Sequence, residues 1–432
     1  MNYFLYLNRF VTSFADFGLM FLIPLFVYQS TGSAPLAGLA FSIEYLVKVF
    51  FSPLAGLFID RHPLVNLMSK VNIARAAISL VIALCLTLVS IGEFETGEMS
   101  VFVLIVLLSA LNGFGFALNF MAQETLLTEF ITRDKFAKTQ AQVQSLEQIA
   151  LVTAPIIFST ALVFMTFHWV LVVIGLIFVL ANLLLLKGTK GIPVREPADL
   201  LLTFKERLAV NLSVGQLYLL HSKPLQRIVL STLLINVIYG TLLAIGAPAV
   251  MGYFAKDATS FATLQTAGAL AAIVVLMMIV KGSHRVTPTQ LGFMAFIFMS
   301  MGGLIAGLAN SFIMFVVGAM LILGFDGMFN VYIRTRRMEI IARKDYGKAM
   351  GLLMVVNNVS KPLSGLFVFS LGHWFSVLQI LMCATLCASI LIISLRLFNT
   401  ANSEAYSAVI TSGDIACDDT SSANCTNGRE AK

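Results

Sequence analysis

Hydrophobic residues along this chain form long unbroken runs instead of alternating with polar residues. A helix needs roughly 20 apolar residues to cross a hydrocarbon layer about 30 Å thick, and each run is about that long. A membrane β-barrel would show short segments of alternating polarity, so the pattern predicts an all-α membrane protein with twelve transmembrane helices. These helices, called spans one to twelve, are predicted at 7–28, 36–58, 71–91, 99–123, 140–165, 168–187, 226–250, 258–281, 289–309, 311–333, 348–371 and 373–396.

Basic residues lie almost entirely in the loops on one side of the predicted membrane. The loops after the even-numbered spans contain clusters of Lys and Arg, for example in 133–138 and 334–348. In the opposite loops the only basic residue is Lys256. Because loops rich in Lys and Arg stay in the cytoplasm, we expect a multi-pass protein of the inner (cytoplasmic) membrane with both termini in the cytoplasm.

The composition narrows the class of protein further. The chain is 58% hydrophobic and only 12% charged, whereas soluble domains are about a quarter charged. A soluble enzyme, a disulfide scaffold, a disordered protein and a nucleic-acid binder are therefore excluded. The net charge of +6 follows from the cytoplasmic loops and does not indicate an acidic partner. The lipid bilayer is the first expected partner.

The spans form two groups of six, which predicts four regions. Residues 1–187 form the first six-helix bundle, 188–225 a cytoplasmic linker, 226–396 the second bundle and 397–432 a disordered tail. The linker contains an amphipathic stretch near 204–220, which we expect at the membrane surface. Two six-span halves joined by a cytoplasmic loop are typical of carriers that alternate access between the two sides of the membrane.

A short motif follows span two. Gly56, Asp60 and Arg61, with Arg75 at the start of span three, resemble the G-x-x-x-D-R signature of the major facilitator superfamily. Gly56 permits close helix approach, and Asp60 and Arg61 can cap helix ends and form charge pairs between the halves. The resemblance implies a twelve-helix fold in two bundles. We also predict a cytoplasmic gate formed by Gly56, Asp60, Arg61, Arg75 and Arg337.

Other stretches resemble one branch of that superfamily, the bacterial exporters that include macrolide pumps and siderophore exporters. One position departs from the proton antiporters, because Ser109 stands where those proteins carry an arginine before a G-x-G. The stretches that match the branch are 30–33, 123–124, 129–138, 332–337 and 362–365.

Acidic residues within the spans are candidates for proton coupling. Asp16 lies about halfway along span one and shares a helix face with Asn8 and Thr12. A charged group at that depth should face protein or a wet cavity. Asp16 therefore either binds a proton or substrate, or forms a hydrogen bond that holds two helices together. Glu44 and Glu147 are predicted to assist it.

Two lysines lie at membrane depth. Lys48 follows Glu44 by four residues, so the pair either neutralises itself on one helix face or contributes to a site. Lys361 has no acid three or four residues away in either direction and needs a partner from another helix or from the cargo. Both lysines are predicted to bind an anionic, carboxylate-bearing cargo, because an oxygen-rich anion offsets their desolvation.

Polar stripes in other spans are predicted either to line a cavity or to join helices. Asp326 begins the stripe Asp326, Asn330 and Arg334, so it either binds substrate or pairs with Arg334. The amides predicted to contact cargo are Asn112, Asn119, Gln144 and Asn357.

Taken together, these features predict a secondary active transporter and not an enzyme, with no catalytic residues, metal or cofactor. The expected cargo is a small, polar, anionic metabolite of the siderophore type, exported in exchange for protons by a monomer. No Walker motif is present, so ATP is not the expected energy source. A multidrug or macrolide efflux pump, an importer of siderophores or metabolites, and a membrane receptor or scaffold remain as alternatives.

Overall fold

The computed structural model describes residues 3–90, 98–130, 133–190, 204–282, 287–341 and 346–398. This part of the chain is helical, and twelve of its helices are long and apolar enough to cross a membrane. The predicted fold class is therefore confirmed. The first bundle consists of α1 (Tyr3–Thr31), α2 (Ala34–Arg61), α3 (Leu64–Ser90), α4 (Glu98–Phe130), α5 (Arg133–Phe164) and α6 (Phe167–Gly188).

The second bundle follows a short connecting helix, α7 (Phe204–His221). Its first helix, α8 (Lys223–Ala247), continues directly into a π-helical turn at Pro248–Tyr253. The helices of this bundle are α8 (Lys223–Ala247), α9 (Ala258–Gly282), α10 (Pro288–Gly307), α11 (Phe312–Ile340), α12 (Tyr346–Asn358), α13 (Ser360–Leu371) and α14 (Val377–Ser394).

Span eleven, predicted as one helix, is observed as α12 and α13, which meet at Val359. Pro362 explains the interruption. Proline has no backbone N–H to donate to the carbonyl four residues earlier, here the carbonyl of Asn358. Lys361 consequently lies in the first turn of α13.

The linker forms helix α7 over the stretch near 204–220 that was predicted to be amphipathic. It packs against α12, where a Cβ added to Gly215 would lie only 2.7 Å from Cβ of Leu352. The linker therefore contacts the second bundle directly. Residues 191–203 of the linker, and nearly all of the predicted tail at 397–432, lie outside the described residues.

The two bundles contact each other mainly through α2 with α13 and through α5 with α9. Where α2 crosses α13, a Cβ added to Gly38 would lie 2.8 Å from the carbonyl oxygen of Gly365. Ser42 Oγ donates a hydrogen bond across the same interface to the carbonyl of Pro362, at 2.9 Å. These contacts close one end of the molecule, called the first-loop end because it carries the α1–α2 loop.

Candidate functional site

An ion pair lies inside the first bundle. Arg75 on α3 donates to Asp16 on α1, and its Nε and Nη2 also donate to Oδ1 of Asn112 on α4, at 2.9 and 2.6 Å. The guanidinium carbon lies 4.0 Å from the ring centroid of Phe178 on α6. Arg75 is only 2% exposed. Four helices thus hold one buried, paired charge.

This position differs from the one expected for Arg75. A gate residue would lie near the cytoplasmic end of α3, but Arg75 lies about 16 Å along the axis from the helix start at Leu64, at 1.5 Å per residue. Asn112, predicted to contact cargo, is 5% exposed and its side-chain oxygen already accepts from Arg75. The structure therefore favours a role for both residues in orienting Asp16.

Gly115 on α4 provides the space for the Arg75 side chain. A Cβ at this position would lie 2.7 Å from Cδ of Arg75, and Arg75 cannot move because Asp16 and Asn112 bind its far end. The glycine is therefore a structural requirement of the ion pair.

Gly115→Ala is expected to destabilise the protein by about 1–3 kcal/mol, as overpacking in a filled core does. Thermal unfolding in detergent measures the effect. The control is Gly327→Ala, whose Cβ would meet only the end of the Leu276 side chain at 3.3 Å. Equal melting temperatures for the two variants would contradict the steric role of Gly115.

A second buried ion pair joins Arg9 on α1 to Glu147 on α5. The guanidinium of Arg9 lies 5.3 Å from the ring centroid of Phe120, and Arg9 is 5% exposed. Glu147 was predicted from the sequence as a proton-coupling acid, whereas Arg9 was not identified as its partner. Its signal was an arginine in an apolar helix, one residue after Asn8 of the polar stripe.

Lys48 is neutralised within its own helix. Its Nζ lies 2.5 Å from Oε1 of Glu44, and Ser109 Oγ donates to the other carboxylate oxygen at 3.4 Å. Glu44 is 2% exposed. Of the two predicted interpretations, this geometry favours the pair within one helix. It makes Lys48 a weaker candidate for cargo binding than Lys361.

Lys361 on α13 makes no ion pair within the described part of the chain. Its Nζ lies 5.2 Å from the ring centroid of Tyr239 on α8 and 5.6 Å from that of Tyr45 on α2. The ring of Tyr45 also faces Lys48 Nζ, at 4.9 Å. Lys361 interacts electrostatically with Asp326 of α11. Residues from both bundles therefore surround this ammonium group.

A cavity of about 410 Å³ lies between the bundles. Asp326 lines it and accepts a hydrogen bond from Asn330 Nδ2 at 2.9 Å. Arg334 lines the same cavity and is exposed, and Asp326 makes no ion pair with it within the described residues. The other polar side chains that line the cavity are Gln148, Tyr239 and Gln265.

The remaining predicted site residues either do not line the cavity between the bundles or lie outside the described residues. Asn119 is buried within the first bundle and donates to Asn72 at 3.0 Å. Asn357 is 3% exposed beside α8, and Arg337 is 5% exposed near the end of α11. The side chains of four predicted positions lie outside the described residues, namely Gly56, Asp60, Arg61 and Gln144.

Twelve membrane-length helices in two bundles, with a cavity between them that is lined in part by polar side chains, are the architecture of a secondary transporter of the membrane. The chain belongs to the Major Facilitator Superfamily, whose family model matches residues 5–333. Family and fold together indicate a transporter and not an enzyme. No curated protein matches the chain in sequence.

Several solved transporters share this fold at low sequence identity. A bacterial homologue of the iron transporter ferroportin, in an inward-facing state, has a TM-score of 0.69 and 16% identity, over 90% of this chain and 97% of its own. A bacterial homologue of the human lysosomal transporter Spinster has a TM-score of 0.67 and 14% identity, over 91% and 95%. The nucleoside transporter NupG has a TM-score of 0.67 and 14% identity, over 91% and 98%.

Proposed function

We propose that this protein is a proton-coupled exporter of a small, polar, anionic metabolite of the siderophore type. It works in the inner membrane, with both termini in the cytoplasm. The observation that carries the proposal is Lys361, a half-buried cation with no ion pair in the described part of the chain, next to a cavity between the bundles. The sequence resemblance to siderophore exporters supports the cargo class.

The charges around the cavity favour an anionic cargo. Arg334 and Lys361 are positive and Asp326 is negative, while Lys48 and Glu44 neutralise each other. The group therefore has one net positive charge, with Lys361 half-buried and Arg334 exposed. A buried charge is stabilised by a paired and hydrogen-bonded partner, and a carboxylate of the cargo would provide one.

Asp16 is the proposed proton site. Protonation of its carboxylate would remove the negative charge that pairs with Arg75. The electrostatic interactions among the four helices around this pair would then change in one step. The site is separate from the cavity between the bundles, which allows proton and cargo to occupy the protein independently. Glu147, also paired to an arginine, assists Asp16; Glu44, held by Lys48, is a weaker candidate for this role.

The contacts between the bundles support alternating access. The approach of Gly38 to Gly365 and the Ser42 hydrogen bond hold the first-loop end closed. Arg334 lies toward the opposite end of the cavity, because α11 runs away from the first-loop end. In the proposed cycle the α2–α13 contacts separate to release cargo, while a cytoplasmic gate of Gly56, Asp60, Arg61 and Arg337 closes.

A metabolite comparison tests the proposed function. Cells with and without the protein are grown under iron limitation and iron repletion, and mass spectrometry measures the small molecules in the medium and in the cells. We expect a carboxylate-bearing metabolite in the medium only when the protein is present. Accumulation of a metabolite inside the cells would indicate an importer. A hydrophobic cation as the best cargo would indicate a multidrug pump. No difference between the two cultures would indicate a receptor or scaffold.

A further inference from the structure

A second, smaller cavity lies inside the first bundle. Its volume is about 70 Å³, and residues of α1, α4 and α5 line it. The two proposed proton-binding acids, Asp16 and Glu147, both line it. The cavity therefore connects the Asp16–Arg75 pair to the Arg9–Glu147 pair.

Three buried polar atoms on the wall of this cavity have no hydrogen-bond partner within the described part of the chain. They are Oγ1 of Thr12, Oδ1 of Asn119 and Nε2 of Gln123. The three residues are 2%, 2% and 5% exposed. Since buried polar groups are nearly always hydrogen-bonded, their convergence on one cavity indicates a polar guest.

The chemistry of these atoms identifies the guest. Asn119 offers an acceptor, Gln123 offers N–H donors, and the Thr12 hydroxyl can do either. A metal cation could not accept from Gln123, and the arginines of the two ion pairs oppose a positive guest. Water both donates and accepts. It occupies about 30 Å³ of liquid volume per molecule, so a cavity of about 70 Å³ has room for two.

We propose that this cavity holds ordered water that links Glu147 to Asp16 as one proton relay. Glu147 gives its proton to a water molecule, a proton of that water passes on to Asp16, and the water is regenerated. The relay extends from Asp16 towards the proposed cytoplasmic side, where α1 begins. Arg9, the partner of Glu147, lies about 10 Å closer to the start of α1 than Asp16 does. The inference rests on the proposed role of Asp16 in proton coupling.

The charged groups around Asp16 are consistent with such a relay. Arg75 of α3 binds the carboxylate directly, and Lys48 of α2 interacts with it electrostatically. Arg9 binds Glu147 at the other end of the cavity. Both acids thus have a cation that stabilises the ionised form after the proton has left.

The melting temperature of Thr12→Val tests whether the cavity holds water. Valine keeps the shape of threonine but cannot form hydrogen bonds. If water binds Thr12, the substitution removes a hydrogen bond and lowers the melting temperature. If the hydroxyl has no partner, its removal raises the melting temperature instead, which would overturn the proposal.

Thr241→Val provides the matched control. Thr241 on α8 is fully buried, its hydroxyl also has no hydrogen-bond partner among the described residues, and it lines neither of the two cavities. We expect this variant to melt at a higher temperature than the wild type. A rise for both variants would show that Thr12, like Thr241, contacts no water.

Time-resolved infrared spectroscopy after a pH jump tests the relay, with the Asp16 carboxylate band identified by its loss in Asp16→Asn. We expect Thr12→Val/Gln123→Leu to slow protonation of Asp16 about tenfold or more, and an unchanged rate would overturn the relay. If Asp16 does not titrate even in the wild type, the proposed proton coupling fails instead. The two failures are therefore distinguishable.

Discussion

Asp16→Asn is expected to abolish proton-driven transport while cargo exchange without a proton gradient continues. The asparagine oxygen can still accept a hydrogen bond from Arg75, so the helix contacts remain, but the side chain can no longer bind and release a proton. Proteoliposomes with an imposed pH gradient measure the first activity, and counterflow of the metabolite found in the medium measures the second. Full gradient-driven activity would remove Asp16 from the mechanism.

Stability must be separated from coupling in this experiment. Loss of one partner of a buried ion pair costs about 3–5 kcal/mol, and Arg75 is buried. The double variant Asp16→Asn/Arg75→Gln replaces both charges with amides, so we expect it to recover stability but not proton-driven transport. Recovery of both properties would show that the pair is only structural.

Asp257→Asn is the matched acid control. Asp257 lies outside the spans, where its carboxylate accepts a hydrogen bond from the Ser260 backbone at 2.8 Å. Hydrogen bonds from Ser260 hold the pKa of Asp257 below its ordinary value, so this carboxylate stays ionised at neutral pH. Asparagine can also cap a helix, so we expect unchanged transport.

Lys361→Ala is expected to weaken the binding of an anionic cargo about tenfold to a hundredfold, and to weaken the binding of a neutral analogue far less. The reason is that a hydrogen bond to a charged group contributes about 1.5–3 kcal/mol. Competition binding to the purified protein, with the cargo and its methyl ester, measures both affinities. Equal losses for acid and ester would contradict the anion-binding role of Lys361.

Lys48→Ala is the variant to compare with Lys361→Ala. Lys48 is bound to Glu44 at 2.5 Å, so its removal leaves a buried carboxylate without its cation. We expect a lower melting temperature, with similar losses for the acid and the ester. Lys256→Ala, at an exposed position in the loop before α9, is the surface control and should change neither property.

Periodicity and local spacing anticipated part of the geometry around these residues. Thr12 and Asp16 of the predicted polar stripe both line the smaller cavity, because helical residues four apart share a face. The spacing of Glu44 and Lys48 anticipated their ion pair for the same reason. Arg9 was missed because an arginine near a helix end is ordinarily explained by extension of its side chain to the membrane surface.

Contacts between distant residues could not be predicted in this way. Arg75 lies 59 residues from Asp16 in sequence, and nothing in either helix alone indicates that they meet. The same holds for Lys361, which was predicted to need a partner from another helix. Tyr45, Tyr239 and Asp326 were identified as its neighbours only by the packing of α2, α8 and α11 around α13.

The sequence by itself determined the twelve spans, the division into two bundles and the presence of charge at membrane depth. It did so because lipid imposes one length and one polarity on each crossing segment. Only the tertiary structure decided which charges are paired, which cation has no partner in the described chain and which polar atoms face a cavity. Those outcomes depend on the packing of helices that are far apart along the chain.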